Sequence, residues 1–188
     1  MRKQIVRNIE EEFLDTSFKY LAEHGLENTS IRDLCKGIGI SSGSLYYWFD
    51  GKEDVYINAA KYGLTKVVEC IFSGAYLAMD DVDNLFSKVL KEAEKYKKEL
   101  RLIYQIATSP VYGERMRKEA DNLAGTYETY IRTLAEKLNV SMEDMAPVVF
   151  MFISIMLDFV IWDDHFVSKM QIDFLQKQFN ELRKKGRQ

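Results

Sequence analysis

The chain has 188 residues, of which 47% are apolar and 29% charged, fractions that are typical of a soluble globular protein. Its formal net charge of −3 excludes a surface that is basic throughout, so any contact with nucleic acid must rest on a few placed cations. The first residues lack the apolar core of a signal peptide, and we expect the protein to stay in the cytoplasm.

Apolar residues recur at helical spacing along the chain, and no alternating strand pattern interrupts them. The first predicted helix covers residues 5–24 and ends at Gly25, which suits a left-handed C-terminal cap. Thr29 or Ser30 caps a second helix, where Asp33 can complete a capping box. The sequence therefore predicts an all-α fold.

About nine helices are expected in all. Gly39 makes the turn to a third helix, which Ser41 caps and which ends near Trp48. A fourth follows from Asp50 or Gly51, and two shorter ones come after residue 80.

The C-terminal part of the chain is expected to hold the three remaining helices. Pro110 suits the first turn of a long helix that ends at Asn139. Ser141 caps the next helix, which runs to about Trp162, and Ser168 opens the last.

The segment 29–52 has the pattern of a helix-turn-helix, in which a bracing helix supports a second helix that enters a DNA groove. Its apolar positions are expected to form a rigid corner: Leu34, Cys35, Ile40, Leu45 and Phe49. The third helix carries hydroxyls and aromatic rings without any charge. Arg32 can contact a guanine and Lys52 a phosphate. The candidate DNA-binding residues are Thr29, Ser30, Arg32, Ser42, Gly43, Ser44, Tyr46, Tyr47, Trp48 and Lys52.

This segment also carries a specific motif, Gly39-Ile40-Ser41, then Gly43-Ser44-Leu45-Tyr46, Phe49 and Lys52-Glu53. The motif resembles the DNA-binding domain of TetR-family transcriptional regulators. The resemblance implies a three-helix DNA-binding domain at residues 1–50 and a helical effector-binding and dimerisation domain at residues 51–188. The chain departs from the family at Cys35 and Gly37, where alanine is usual.

Two alternatives compete with this interpretation. The run Gly39-Ile40-Ser41-Ser42-Gly43 matches G-x-S-x-G, the nucleophile elbow of serine hydrolases, which needs a preceding buried strand and a downstream histidine. The preceding residues are polar and helical in pattern, and only His165 follows, so we expect no enzyme. The other alternative is a helical ligand-binding or interaction module without DNA binding, because residues 1–56 hold ten acidic and seven basic side chains.

Cysteines and histidines are few and widely separated. Cys35, Cys70, His24 and His165 show no spacing typical of metal ligands or of a redox pair. We expect two buried free thiols, no metal site and no cofactor.

The segment 145–162 holds one charge in eighteen residues, nearly enough apolar length for a membrane span. Pro147, Asp158 and acidic flanks argue instead for a soluble helix that packs on two sides, against its own core and against a second subunit. The interface would be of the two-fold isologous type. Its candidate residues are Phe152, Ile155, Phe159, Trp162, Phe174 and Phe179.

The resemblance also implies a small-molecule effector among the middle helices. Eight methionines and many aromatic residues suit an adaptable apolar cavity, which favours a hydrophobic or aromatic effector. The candidate lining residues are Phe72, Phe86, Tyr104, Tyr112, Met116, Tyr127 and Met151. The expected function is that of a homodimeric repressor, which binds a palindromic double-stranded operator and is released by the effector.

Overall fold

The computed structural model describes residues 2–120 and 124–185. Ten α-helices and one 3₁₀-helix occur in these ranges, without a strand, so the predicted all-α class is confirmed. The helices are α1 (Arg2–His24), α2 (Ile31–Ile38), α3 (Ser42–Leu45), α4 (Lys52–Ala78), the 3₁₀-helix (Val82–Asn84), α5 (Leu85–Glu94), α6 (Lys97–Thr108), α7 (Gly113–Ala120), α8 (Ala124–Leu138), α9 (Met142–Trp162) and α10 (His165–Lys185).

The chain divides into two compact units. Unit 1 comprises Met1–Val67 and Lys98–Ala120, and unit 2 comprises Val68–Lys97 and Asp121–Gln188. Helix α4 therefore contributes its first part to unit 1 and its last part to unit 2. The domain boundary predicted after residue 50 stays a prediction.

Unit 1 is built around α1, which packs against α2. The rings of Phe13 and Phe49 lie 5.5 Å apart between centroids, and both side chains are buried. An ion pair of 2.5 Å between Lys98 Nζ and Glu23 Oε2 joins α6 to α1. The helix-turn-helix segment thus rests on an apolar core that α1 supplies.

Unit 2 is built around α9, which packs against α5, α8 and α10. The ring of Phe86 lies 5.5 Å from that of Phe152 and 5.4 Å from that of Phe179. Among the described helices, only α9 is long and apolar enough to cross a membrane, with a mean hydropathy of 2.2, yet 44% of that window is buried in the protein. Such a helix is also what the core of a soluble unit requires.

Several predicted helix ends are confirmed. Gly25 and Asn139 follow α1 and α8 with φ of 81° and 53°, the left-handed conformation that ends a helix. Ser141 caps α9, with its hydroxyl accepting from the Asp144 N–H at 3.1 Å. Each of these ends is decided by local chemistry.

Two predicted helix starts and one predicted burial are wrong. Helix α10 begins at His165 rather than Ser168, because the Asp164 carboxylate accepts from the first free backbone N–H groups, and Ser168 is buried. Helix α7 begins at Gly113, after a turn that contains Pro110. Both cysteines are free thiols, but Cys70 is exposed on α4 rather than buried.

Gly63 allows α4 to approach α1 closely. A β-carbon at this position would lie 2.3 Å from the ring of Phe18, which is buried. We expect Gly63→Ala to lower the free energy of unfolding by about 1–3 kcal/mol through overpacking, which outweighs the gain in helix propensity of up to about 1 kcal/mol. Urea unfolding measures the change.

The matched control is Gly125→Ala in α8, where a β-carbon would meet no atom of a described residue within 4 Å. This variant is expected to unfold at the same or a slightly higher urea concentration than the original chain. Equal destabilisation of both variants would show that the contact with Phe18 is not the cause.

Candidate nucleic-acid interface

Helix α2 is capped at both ends by residues that are its close neighbours in sequence. The Ser30 hydroxyl accepts from the Asp33 N–H at 3.2 Å, and the Asp33 carboxylate accepts from the Ser30 N–H at 3.0 Å, which confirms the predicted capping box. Hydrogen bonds from Ser30 lower the pKa of the Asp33 carboxyl. At the other end Gly39 adopts φ 75°, and its N–H donates to the Cys35 and Lys36 carbonyls.

Helix α3 starts directly after this turn. The Ser41 hydroxyl caps it by accepting from the Ser44 N–H at 3.1 Å, and the two hydroxyls lie 2.8 Å apart. The α-helical part ends at Leu45, shorter than the predicted end near Trp48, because the following residues form tighter turns. Leu45 and Phe49 are buried and fix this segment to unit 1, as the pattern predicted.

The outer side of α3 and of the turn after it is exposed. Tyr46 is 60% exposed and Tyr47 is 82% exposed, values that are high for tyrosines. The other exposed positions on this side are Ser42, Gly43 and Ser44. The arrangement places hydroxyls and rings at the surface while the aliphatic side chains stay inside.

Three exposed cations border this side: Arg32 and Lys36 on α2 and Lys52 at the start of α4. Among the described residues none of them has a carboxylate within ion-pair distance. The Lys52 ammonium lies 5.1 Å from the centroid of the Tyr56 ring. All three remain free to neutralise phosphates of a nucleic acid.

Two of the candidate DNA-binding residues are corrected by the structure. Thr29 is buried, and its hydroxyl donates to the Gly25 carbonyl at 2.7 Å, because it precedes the cap and points into the corner. Trp48 is half-buried, and its indole N–H lies inside with no hydrogen-bond partner in the described part of the chain, so it does not face a ligand from outside. Its ring instead meets that of Tyr47 edge-on, at 6.3 Å and 80°.

Tyr56 is a positioning residue that the sequence reasoning missed. It is fully buried on α4, and its hydroxyl lies 2.7 Å from the Thr29 carbonyl and 3.2 Å from the Leu26 carbonyl. Burial raises the pKa of this phenol. Because these carbonyls belong to the segment before α2, Tyr56 joins α4 to the helix-turn-helix. Its place in the apolar stripe of α4, beside Val55, was the available signal.

The serine hydrolase alternative has no support in this geometry. The Ser41 hydroxyl of the G-x-S-x-G match is engaged in capping α3, and a helix rather than a strand precedes it. The elbow that such enzymes need is a strand-to-helix turn.

The predicted dimer residues separate into two groups. Ile155 is buried but lines a groove together with Met151 and Phe174, so it stays a predicted interface residue. Phe152, Phe159 and Phe179 are buried inside unit 2, which is a correction. The physical reason is that they lie on the sides of α9 and α10 that face α5 and each other. Trp162 and Phe174 are exposed, at 74% and 59%.

The predicted effector residues are also scattered. Tyr104 and Met151 are exposed, so they do not line an internal cavity. Phe86 and Met116 are buried as core residues, Phe86 of unit 2 and Met116 of unit 1. Tyr104 and Met151 correct the prediction, whereas Phe86 and Met116 stay predicted effector residues, because a buried side chain can belong to a core or to a cavity wall.

The other three predicted effector residues are half-buried. In unit 1 the Tyr112 ring meets that of Tyr56 edge-on at 6.1 Å. In unit 2 the Phe72 ring stacks on Tyr130 at 4.4 Å and lies 6.2 Å from Tyr127, whose pKa is raised by burial. Within unit 2 these rings form an aromatic cluster.

Comparison with known proteins identifies the segment that carries the candidate interface. The family of bacterial regulatory proteins, tetR family, matches residues 13–59. The HTH-type transcriptional repressor KstR2 of Rhodococcus jostii (strain RHA1) is 48% identical over 44 residues, which are 23% of this chain and 22% of that protein.

Outside this segment the sequence identity to known proteins is lower, but the structural similarity covers most of the chain. The negative transcriptional regulator IcaR of the Staphylococcus aureus biofilm operon icaADBC (strain Newman) is 23% identical over 116 residues, which are 56% of this chain and 61% of that protein. The chain thus spans less than two thirds of either relative. The crystal structure of a proposed TetR-family transcriptional regulator from Rhodococcus sp. superposes with a TM-score of 0.64 at 14% identity, over 93% of this chain and 98% of that one. Residues 13–59 therefore form a segment of the tetR-family type, and the chain as a whole shares the fold of that solved regulator.

Proposed function

We propose that the protein is a cytoplasmic transcriptional repressor, which binds a palindromic DNA operator as a homodimer and is released by a small hydrophobic or aromatic effector. The observation that carries this proposal is the outward display of Ser44, Tyr46 and Tyr47 above the buried Leu45. KstR2 and IcaR are both named as negative regulators of transcription, which supports repression rather than activation.

The operator is expected to be an inverted repeat. Two copies of α3, related by a two-fold axis, would enter successive major grooves about 34–36 Å apart. Selection of bound duplexes from a random DNA pool tests this directly, because enrichment of a palindrome reports both DNA binding and symmetry. Absence of any enriched sequence would favour the helical module without DNA binding.

A second copy of the chain is the proposed occupant of an exposed apolar face on α9 and α10. Six large apolar side chains of these two helices are exposed, at fractions between 46% and 75%: Phe150, Met151, Trp162, Phe166, Met170 and Phe174. Met151, Met170 and Phe174 also line one shallow groove of about 430 Å³. Contiguous exposed apolar surface of this kind typically marks a protein interface.

Control by an effector is proposed to act through contacts between α7 and α4 within unit 1. Arg115 on α7 forms an ion pair with Asp54 in the first turn of α4, and Tyr112, directly before α7, contacts Tyr56 two residues further along α4. A shift of α7 would therefore displace the start of α4. It would also disturb the hydrogen bonds that Tyr56 donates to the backbone before α2. Coupling of about 1–3 kcal/mol would weaken operator binding about five- to 150-fold.

The proposed effector class follows from the aromatic content of unit 2. The cluster of Phe72, Tyr127 and Tyr130 offers aromatic ring faces. Aromatic groups of this kind favour apolar or aromatic ligands.

The roles assigned to the exposed residues predict different effects on specificity. Arg32→Ala and Tyr47→Ala are expected to reduce the preference for the selected operator over random DNA, by about 1–3 kcal/mol for a lost bidentate base contact. Lys52→Ala is expected to weaken binding to both DNAs alike and to lower the salt slope by about 1 per subunit. Fluorescence anisotropy at several salt concentrations measures both quantities.

The control for these variants is Lys66→Ala, which removes another exposed cation of α4. It is expected to leave operator affinity unchanged. Relaxed specificity in Lys52→Ala alone would contradict the roles proposed for Arg32 and Tyr47.

The proposed interface predicts a dimer that depends on its exposed aromatic residues. Trp162→Ala and Phe174→Ala are each expected to weaken dimerisation by about 2 kcal/mol, since large aromatic side chains commonly dominate interface energies. Sedimentation velocity over a concentration series measures the shift toward monomer. Leu77→Ala is the matched control, because Leu77 is 77% exposed on α4 and lies outside this face. An unchanged profile for both aromatic variants would rule out the interface.

A further inference from the structure

A groove between α5 and α10 in unit 2 forms a cavity that the proposed function does not use. Its volume is about 350 Å³, enough for a small organic molecule. The floor is apolar and consists of Leu90, Phe159 and Ile172. None of the lining residues belongs to the predicted effector pocket or to the surface of α2 and α3.

Ser168 supplies a buried polar group in this groove. The residue is 1% exposed, and its hydroxyl has no hydrogen-bond partner among the residues that the structure describes. The Ser154 hydroxyl on α9, by contrast, donates to the carbonyl one turn earlier at 3.0 Å. Because a buried hydroxyl without a partner is unfavourable, a polar ligand atom that bonded to Ser168 would gain binding energy.

The rim of the groove carries charges of both signs. On α10 the Lys169 ammonium and the Asp173 carboxylate pair with each other at 2.5 Å. On α5 Lys91 and Glu94 are exposed, and neither has an ion-pair partner in the described part of the chain. A ligand with a single charge would satisfy one of these two side chains and be repelled by the other.

We propose that this groove binds a small zwitterion with an apolar side chain, of the class of the apolar α-amino acids. Lys91 would pair with the carboxylate and Glu94 with the ammonium group. The Ser168 hydroxyl would bond to one of the polar ligand atoms, and the apolar side chain would lie on the floor of the groove.

The groove and the proposed dimer face occupy different sides of α10. His165, Ser168 and Ile172 recur at the helical spacing of one side, and Phe166, Met170 and Phe174 at that of another. Binding in the groove is therefore independent of dimerisation, and it does not require that the protein bind DNA.

The test is titration of the full chain with L-phenylalanine, followed by calorimetry and by amide chemical shifts. Saturable binding with shifts on α5 and the first half of α10 is expected. Phenylpropanoate, which lacks the ammonium group, and phenethylamine, which lacks the carboxylate, are each expected to bind at least about tenfold more weakly, since each loses a charge-assisted hydrogen bond.

Substitutions of the lining residues test which side chain binds which group of the ligand. Lys91→Gln is expected to weaken L-phenylalanine binding about tenfold and leave phenethylamine binding unchanged, and Ser168→Ala to weaken L-phenylalanine binding while preserving the fold. Lys177→Gln, an exposed cation of α10 outside the groove, is the control and is expected to bind as the original chain does. The proposal is overturned by absence of saturable binding at millimolar ligand, by shifts elsewhere in the chain, or by unchanged affinity in both groove variants.

Discussion

The exposed surface of α3 depends on the burial of Leu45 and Phe49 beneath it. A helix of four residues has no stability of its own, because helix nucleation alone is unfavourable. The two buried side chains, with the Ser41 cap and the left-handed Gly39, supply the contacts that hold it. The tyrosines can therefore point outward only because the residue between Ser44 and Tyr46 is anchored inside.

Tyr56 extends this constraint from α3 to the long helix α4. Its hydroxyl binds the backbone before α2, its ring contacts Tyr112, and the Lys52 ammonium lies above the ring. One buried side chain thus connects the segment 109–120 of unit 1, the start of α4 and the entry to α2. A polar group inside a core is tolerated here because backbone carbonyls satisfy it, and its directional bonds fix the geometry more narrowly than apolar packing would.

The caps and turns that end the helices were predictable from the sequence. Which side of an apolar helix is buried was not. The Ser30–Asp33 capping box and the Gly39 turn involve residues a few positions apart, so the sequence contains the whole interaction. Helix α9 is apolar on all sides, and periodicity therefore did not reveal that Phe159 faces inward while Trp162 faces outward. Those faces are decided by the partners α5, α8 and α10, which are distant in sequence. The prediction that Thr29 contacts DNA was wrong for a related reason. Because its neighbour Ser30 caps α2, the Thr29 side chain points into the core of the helix-turn-helix.

Residues 1–56 hold more acidic than basic side chains, yet several of these carboxylates are already paired or hydrogen-bonded within the fold. Asp15 and Glu23 pair with Lys19 and Lys98, and hydrogen bonding from Lys98 lowers the pKa of Glu23. Asp54 pairs with Arg115, and Asp33 closes the capping box of α2. Within the described ranges the three cations that border α3 have no ion-pair partner, so their charge stays uncompensated although the segment as a whole carries net negative charge. Counting charges along a sequence misses this difference, because the field near a surface depends on which charges are already compensated within the fold.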